Sequence, residues 1–205
     1  MKTRVQKIIL SAIIAGCVSM AAKADGTGSN NGYFWSLYHS GGSASISFGS
    51  GGNYKMTWSG VNDVTGGKGW NPGGSRTVGY NVGVRGGNVM GVYGWTTGPL
   101  IEYYIVEFGG NSSGTYVGSL SSDGHSYSVY KHQQVNQPSI QGTATFWQYL
   151  SEWGGSSTGS NHSVTTGNHF NYWKAHCGSM GSFNYMILLT EAWGGSSGSS
   201  NATVW

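Results

Sequence analysis

From Gly32 onward, short stretches of the chain alternate apolar with hydroxyl-bearing side chains. Ala44, Ile46 and Phe48 interleave with Ser43, Ser45 and Ser47, the period-2 rhythm of a strand with one buried face. The same rhythm recurs over residues 54–58, 77–84, 89–95, 101–108, 115–120, 126–131, 143–153 and 185–193. A glycine-rich turn at residues 49–53 and the Asp123-Gly124 hairpin signal punctuate them. So many strands exceed one flat sheet, which predicts an antiparallel all-β fold of two sheets packed face to face or rolled together. One segment departs from the rhythm. Between Thr166 and Gly178, Phe170, Trp173 and Cys177 recur at i, i+3 and i+7, with Thr165 or Thr166 as N-cap and Gly178 as C-cap. That spacing predicts a single helix lying on a sheet. The Gly/Ser run at residues 194–200 reads as a loop before a last strand that resumes at Ala202-Thr203-Val204-Trp205.

Composition narrows the picture. The 205 residues suit one domain. Glycine supplies 37 of them and charged residues only 8%, against averages near 7% glycine and about 25% charged. Nine Trp, 13 Tyr and six Phe exclude intrinsic disorder, and this much glycine excludes an all-helical chain. The formal charge of +3 is misleading, because Lys2, Arg4, Lys7 and Lys23 all precede Asp25. Residues 1–24 have a basic start, an apolar run over residues 8–18 and the small-residue pattern Ala22-Lys23-Ala24, as a secretory signal has. The run is too short to span a membrane. Its removal leaves a domain over residues 25–205 with six cations against seven carboxylates, a net charge of −1, and no basic footprint for nucleic acid. Ile14-Ala15-Gly16-Cys17 also resembles a lipoprotein box, which would instead tether the chain through Cys17. After cleavage at Ala24 only Cys177 remains, so no intramolecular disulfide can form, and a buried structural thiol is expected.

Seven carboxylates are few enough to weigh singly. Asp25 neighbours the expected cleavage site, Asp123 sits in a hairpin turn and Glu152 follows a strand. Glu102 is different: alternation places it with Leu100, Tyr104 and Val106 on one strand face, while Tyr93 and Trp95 share a face of the preceding strand. An acid among apolar rings is costly unless it is used. Glu191 likewise shares a face with Tyr185, Ile187, Leu189 and Trp193. Two strand-borne acids framed by aromatics point to a carbohydrate cleft, in which rings stack on sugars and paired carboxylates cleave glycosidic bonds. Glu107 falls on the opposite face from Glu102 and reads as an exposed strand end. The six histidines show no zinc spacing, and Gly66-Gly67 and Gly73-Gly74 do not form a phosphate loop.

These residues resemble glycoside hydrolase family 11, small single-domain endo-β-1,4-xylanases, from about Asn31 to Trp205. The resemblance is carried by Gly66-Gly67-Lys68-Gly69-Trp70-Asn71-Pro72-Gly73, Tyr93-Gly94-Trp95, the run from Pro99 through Glu102-Tyr103-Tyr104 to Glu107, Pro138-Ser139-Ile140, Gly167-Asn168-His169-Phe170 and Thr190-Glu191. It implies a β-jelly roll curled around a long groove with one helix behind, and a secreted, monomeric, retaining enzyme acting on xylan without metal or organic cofactor. Glu102 would be the nucleophile and Glu191 the acid/base, their carboxyls about 5–5.5 Å apart. Tyr93 and Tyr104 would position the nucleophile and sugar, with Gln148 and Tyr185 as groove contacts. Trp35 would be the aromatic platform for a distal xylose, and Pro138 would belong to the tip of a thumb hairpin. Asp63 matches the position that contacts the acid/base, where Asp implies an acidic optimum and an upward shift on replacement by Asn.

The chain also departs from the family. Gln134-Val135-Asn136 stands where Arg-Tyr-Asn is common, so a cation near the nucleophile is missing; Leu150 replaces a groove aromatic, and Ala192-Trp193 replaces Gly-Tyr. Two rival readings are a non-catalytic xylan-binding lectin on the same scaffold and an endoglucanase of a related jelly-roll family. Retention of both Glu102 and Glu191 argues against the lectin.

Overall fold

A computed structural model describes residues 25–110 and 114–205. The expected leader and Cys17 lie outside the described residues. The strands are β1 (Gly26–Asn30), β2 (Tyr33–Ser40), β3 (Ser43–Phe48), β4 (Asn53–Trp70), β5 (Thr77–Val84), β6 (Val89–Thr97), β7 (Ile101–Gly109), β8 (Thr115–Ser122), β9 (His125–Ser139), β10 (Gly142–Glu152), β11 (Asn161–Thr165) and β12 (Ser182–Val204); α1 (Thr166–His176) precedes β12. Among the described residues no helix is long and apolar enough to cross a membrane.

Two long strands turn one hydrogen-bonded network into two layers. The first part of β12 pairs with the second part of β4 (residues 63–70) and with β6; its last part pairs with the first part of β4 (residues 53–58) and with β5. Register shifts at Trp193, Ser196 and Gly198 mark the crossing, where bulges bend a strand. One layer runs β1-β2-β4-β12-β6-β7-β10-β9-β8, parallel only at β7–β10 among the described pairs. The other joins β3, the first part of β4, the last part of β12, β5 and β11. This is the expected all-β jelly roll.

The Gly/Ser run at residues 194–200 is therefore strand, and the loop expected there is corrected: cross-strand pairing with β4 overrides weak local propensity. The glycines of Gly66-Gly67-Lys68-Gly69 also have a structural reason. A Cβ on Gly67 would lie 1.8 Å from the Leu188 carbonyl oxygen and one on Gly69 2.1 Å from that of Met186, so β12 can approach β4 only where side chains are absent.

The core lies between the layers. Trp35 of β2 meets Phe48 of β3 with ring centroids 5.4 Å apart, and Tyr80 of β5 meets Phe108 of β7 at 6.4 Å. Helix α1 covers the back of the concave layer, with Phe170 and Trp173 against Tyr103 at 5.2 and 6.0 Å. The chain entering it is tied from outside: Asp123 in the β8–β9 turn accepts from the Thr165 N–H at 2.8 Å and the Thr165 hydroxyl at 2.7 Å, and the Thr166 N–H donates to the Arg76 carbonyl at 3.0 Å.

Glu107 corrects the expectation of an exposed strand end. Both faces of β7 are covered, so Glu107 is 1% exposed and accepts hydrogen bonds from Tyr80 at 2.7 Å and Tyr127 at 2.8 Å. Burial pushes its carboxyl up to about 7. Cys177 is buried with a free thiol, as expected, and burial pushes it up to about 11.

Candidate active site

Alternation on β7 and β12 builds a concave cleft of about 770 Å³. On β7, Ile101, Tyr103 and Ile105 enter the core while Glu102, Tyr104 and Val106 line the cleft. On β12, Met186, Leu188 and Ala192 enter the core while Tyr185, Glu191 and Trp193 line the cleft. Both candidate acids thus face one cavity from separate strands, with β6 between those strands.

Glu102 is buried and held by three donors. Its Oε1 accepts from the Tyr93 hydroxyl at 2.8 Å and the Tyr104 hydroxyl at 3.0 Å, and its Oε2 accepts from Gln148 Nε2 at 2.7 Å. The donors come from three strands in register: Tyr104 pairs with Tyr93 across β6–β7, and Gln148 with Glu102 across β7–β10. Trp95 Nε1 donates to the Tyr93 oxygen at 2.7 Å, which leaves the Tyr93 proton directed at the carboxylate. Burial raises the Glu102 pKa, and the three donors oppose that rise.

Glu191 has a different environment. It is half-buried, and among the described residues no hydrogen-bond donor reaches its carboxyl. Burial, the Asp63 charge and the Glu102 charge push its pKa well above the usual carboxylate range. The three donors thus favour the charged form of Glu102, while burial and the two neighbouring charges favour the protonated form of Glu191.

Asp63 lies on β4, registered against Trp193, and lines the same cleft. Burial raises its pKa, opposed by the Val64 backbone N–H. Tyr185 lines the cleft beside Phe34 at 5.2 Å and Tyr93 at 6.0 Å. Pro138 and Ile140 reach the cleft from the β9–β10 hairpin. Its tip is closed by Ser139 Oγ, which donates to the Gly142 carbonyl at 2.6 Å and accepts from the Gln141 N–H at 3.0 Å. Gln134 donates to Gln148 Oε1 at 3.2 Å.

Trp35 does not belong to this set. It is buried in the core against Phe48 and is absent from the cleft lining. Residues 33, 35 and 37 of β2 point inward, whereas Ser36 and Tyr38 line the cleft. The ring on β2 that faces the cleft is Tyr38, 41% exposed. The alternation of Trp35 and Leu37 with Ser36 and Tyr38 carried that information in the sequence. Among the described residues, no three His, Cys, Asp or Glu side chains gather as metal ligands.

The chain matches the family described as Glycosyl hydrolases family 11 over residues 30–203. It is 47% identical over 195 residues to ethylene-inducing xylanase 1 of Botryotinia fuckeliana (strain B05.10), covering 91% of this chain and 68% of that protein. It is 48% identical over 186 residues to endo-1,4-beta-xylanase B of Phanerodontia chrysosporium, covering 87% of this chain and 63% of the relative, under two thirds of its length. An ethylene-inducing xylanase of Penicillium digitatum (strain Pd1 / CECT 20795) is 47% identical over 184 residues, covering 86% of this chain and 84% of that protein.

Proposed function

The chain belongs to glycosyl hydrolase family 11, and from that premise we propose that it is a secreted, monomeric endo-1,4-β-xylanase that hydrolyses internal xylan bonds with retention of configuration. The observation that carries the chemistry is the asymmetry of the two acids. Glu102 accepts three hydrogen bonds, whereas Glu191 faces two carboxylates and, among the described residues, no donor.

In the first step Glu191 gives its proton to the glycosidic oxygen while Glu102 attacks the anomeric carbon, so the carbon–oxygen bond to the leaving sugar breaks as a glycosyl ester forms. In the second, the Glu191 carboxylate takes a proton from water. That water attacks the anomeric carbon, the ester bond breaks, and both side chains return to their starting states. Tyr93, Tyr104 and Gln148 hold Glu102 in position for both steps. Tyr38, Tyr185 and Trp193 supply ring faces for sugars, and Pro138 and Ile140 cover the chain from the hairpin.

Reducing-sugar release from xylan, with the product anomer followed by NMR, tests this reading. Substitution Glu102→Gln is expected to lower kcat by at least about 10³-fold, because an amide cannot form the ester. Inverted product, or greater release from a soluble cellulose derivative than from xylan, would overturn it; binding of xylan without hydrolysis would favour the lectin.

A further inference from the structure

Strand β8 has one covered and one open face. Val117 and Leu120 pack toward the core, and a Cβ on Gly118 would lie 2.5 Å from the Tyr172 hydroxyl of α1. Tyr116 points the other way and is 56% exposed. The ladder with β9 shifts register between Tyr116 and Gly118, and Gly118 has φ +153°, a bulge of the kind that re-aims a side chain.

Register connects Tyr116 to the catalytic carboxylate's own supports. Tyr116 pairs with Tyr130, Tyr130 with Leu150, Leu150 with Tyr104, and Tyr104 with Tyr93. These residues form one row across the concave layer, and Tyr104 and Tyr93 are the hydroxyl donors to Glu102. Tyr130 packs against the apolar cluster of the cleft, and its ring meets that of Tyr116 at 5.6 Å and 64°. From Tyr104 to Tyr116 is three strand spacings, about 14 Å.

Hydroxyl groups adjoin Tyr116. Its own hydroxyl and Ser119 Oγ are hydrogen-bonded at 2.8 Å, and Ser119 is registered against Ser128, which is registered in turn against the cleft residue Glu152. A single exposed tyrosine would need no explanation. This one continues the cleft row, is braced by a second ring and adjoins hydroxyls, a combination suited to a pyranose ring. We propose that Tyr116, backed by Tyr130, is a stacking platform for a distal sugar of the xylan chain, extending the binding face to β8. The inference rests on the xylanase reading above.

The test compares xylotriose with xylohexaose as substrates for the unmutated protein, Tyr116→Ala and Tyr116→Trp. The ratio of kcat/KM on xylohexaose to that on xylotriose is expected to fall roughly two- to tenfold in Tyr116→Ala, the worth of one aromatic contact, through KM, and to be restored in Tyr116→Trp. Equal losses on both substrates, or an unaltered ratio, would overturn the subsite while leaving the xylanase reading intact. If the unmutated protein hydrolyses neither oligosaccharide nor polymeric xylan, the underlying reading fails and the subsite fails with it.

Discussion

Gln148 Nε2 lies 2.7 Å from Glu102 Oε2, across the parallel β7–β10 pair that registers the two residues. An amide has a donor end and an acceptor end, and only the donor end can face a carboxylate without repulsion. Gln134 selects that orientation by donating its own Nε2 to Gln148 Oε1 at 3.2 Å. Two neutral amides in series therefore lead to the Glu102 carboxylate.

The relay predicts a pH effect of definite sign. In Gln134→Leu the Gln148 amide loses its orienting partner, the hydrogen bond that lowers the Glu102 pKa weakens, and that pKa rises. More of Glu102 is then protonated in acid, and with Glu102 as the proposed nucleophile the acid limb of the kcat/KM profile moves upward. Gln148→Leu moves it further, and removing that charge-assisted hydrogen bond costs about 1.5–3 kcal/mol in kcat/KM. An unmoved acid limb in both variants would contradict the relay.

Asp63 predicts a shift of the other limb. Its charge raises the Glu191 pKa, and a stronger hold on the proton would make Glu191, the proposed general acid, a poorer one. Activity should thus fall as Asp63 ionises, giving an acidic optimum. Asparagine is neutral at every pH, so Asp63→Asn should move the alkaline limb and the optimum upward. A pH–rate profile that stays in place or moves downward would refute this account.

The two glutamates were legible in the sequence because register fixes which face a strand residue takes, and a one-residue slip would reverse the whole set. On β7 and β12 the alternation of Glu102 with Tyr103 and of Glu191 with Ala192 decided it. Other features depend on contacts distant in the chain. The strand at residues 194–200 exists because β4 supplies the partner, and Gly198 lies where a Cβ would meet the Trp58 ring at 2.7 Å. Glu107 was placed on the correct face, but local pattern does not reveal that this face is the core between two layers. Gln134 carried no sign of its contact with Gln148, because the side chains lie on different strands and 14 residues apart.

Trp35 and Tyr38 separate packing from binding on a single strand. Trp35→Ala should destabilise the fold by about 3–5 kcal/mol, seen as a lower denaturation midpoint, with KM for xylan little altered in the folded fraction. Tyr38→Ala should raise KM with a stability change within about 0.5 kcal/mol, as for an exposed residue. The reverse assignment of effects would return Trp35 to the substrate surface.

Glu107 and His169 predict opposing pH dependences of stability around one shared ring. Tyr127 donates to Glu107 at 2.8 Å, and its ring meets that of His169 at 4.6 Å in an edge arrangement. Among the described residues neither nitrogen of the buried His169 ring has a hydrogen-bond partner, and burial lowers its pKa to about 4. Burial raises that of Glu107 to about 7. The folded state therefore holds a proton on Glu107 more firmly than the unfolded chain, and its contribution is lost as pH rises from about 4.5 to about 7. For His169 the sign reverses: the folded state resists protonation, and stability is lost as pH falls from about 6.5 to about 4. Relative to the unmutated protein, Glu107→Gln should gain stability as pH rises through the first window, and His169→Phe should gain as pH falls through the second. Each differential should reach on the order of 3 kcal/mol. Denaturant midpoints measured at intervals from pH 4 to pH 7 would reveal both trends, and parallel curves for all three proteins would show that neither group titrates between the folded and unfolded states.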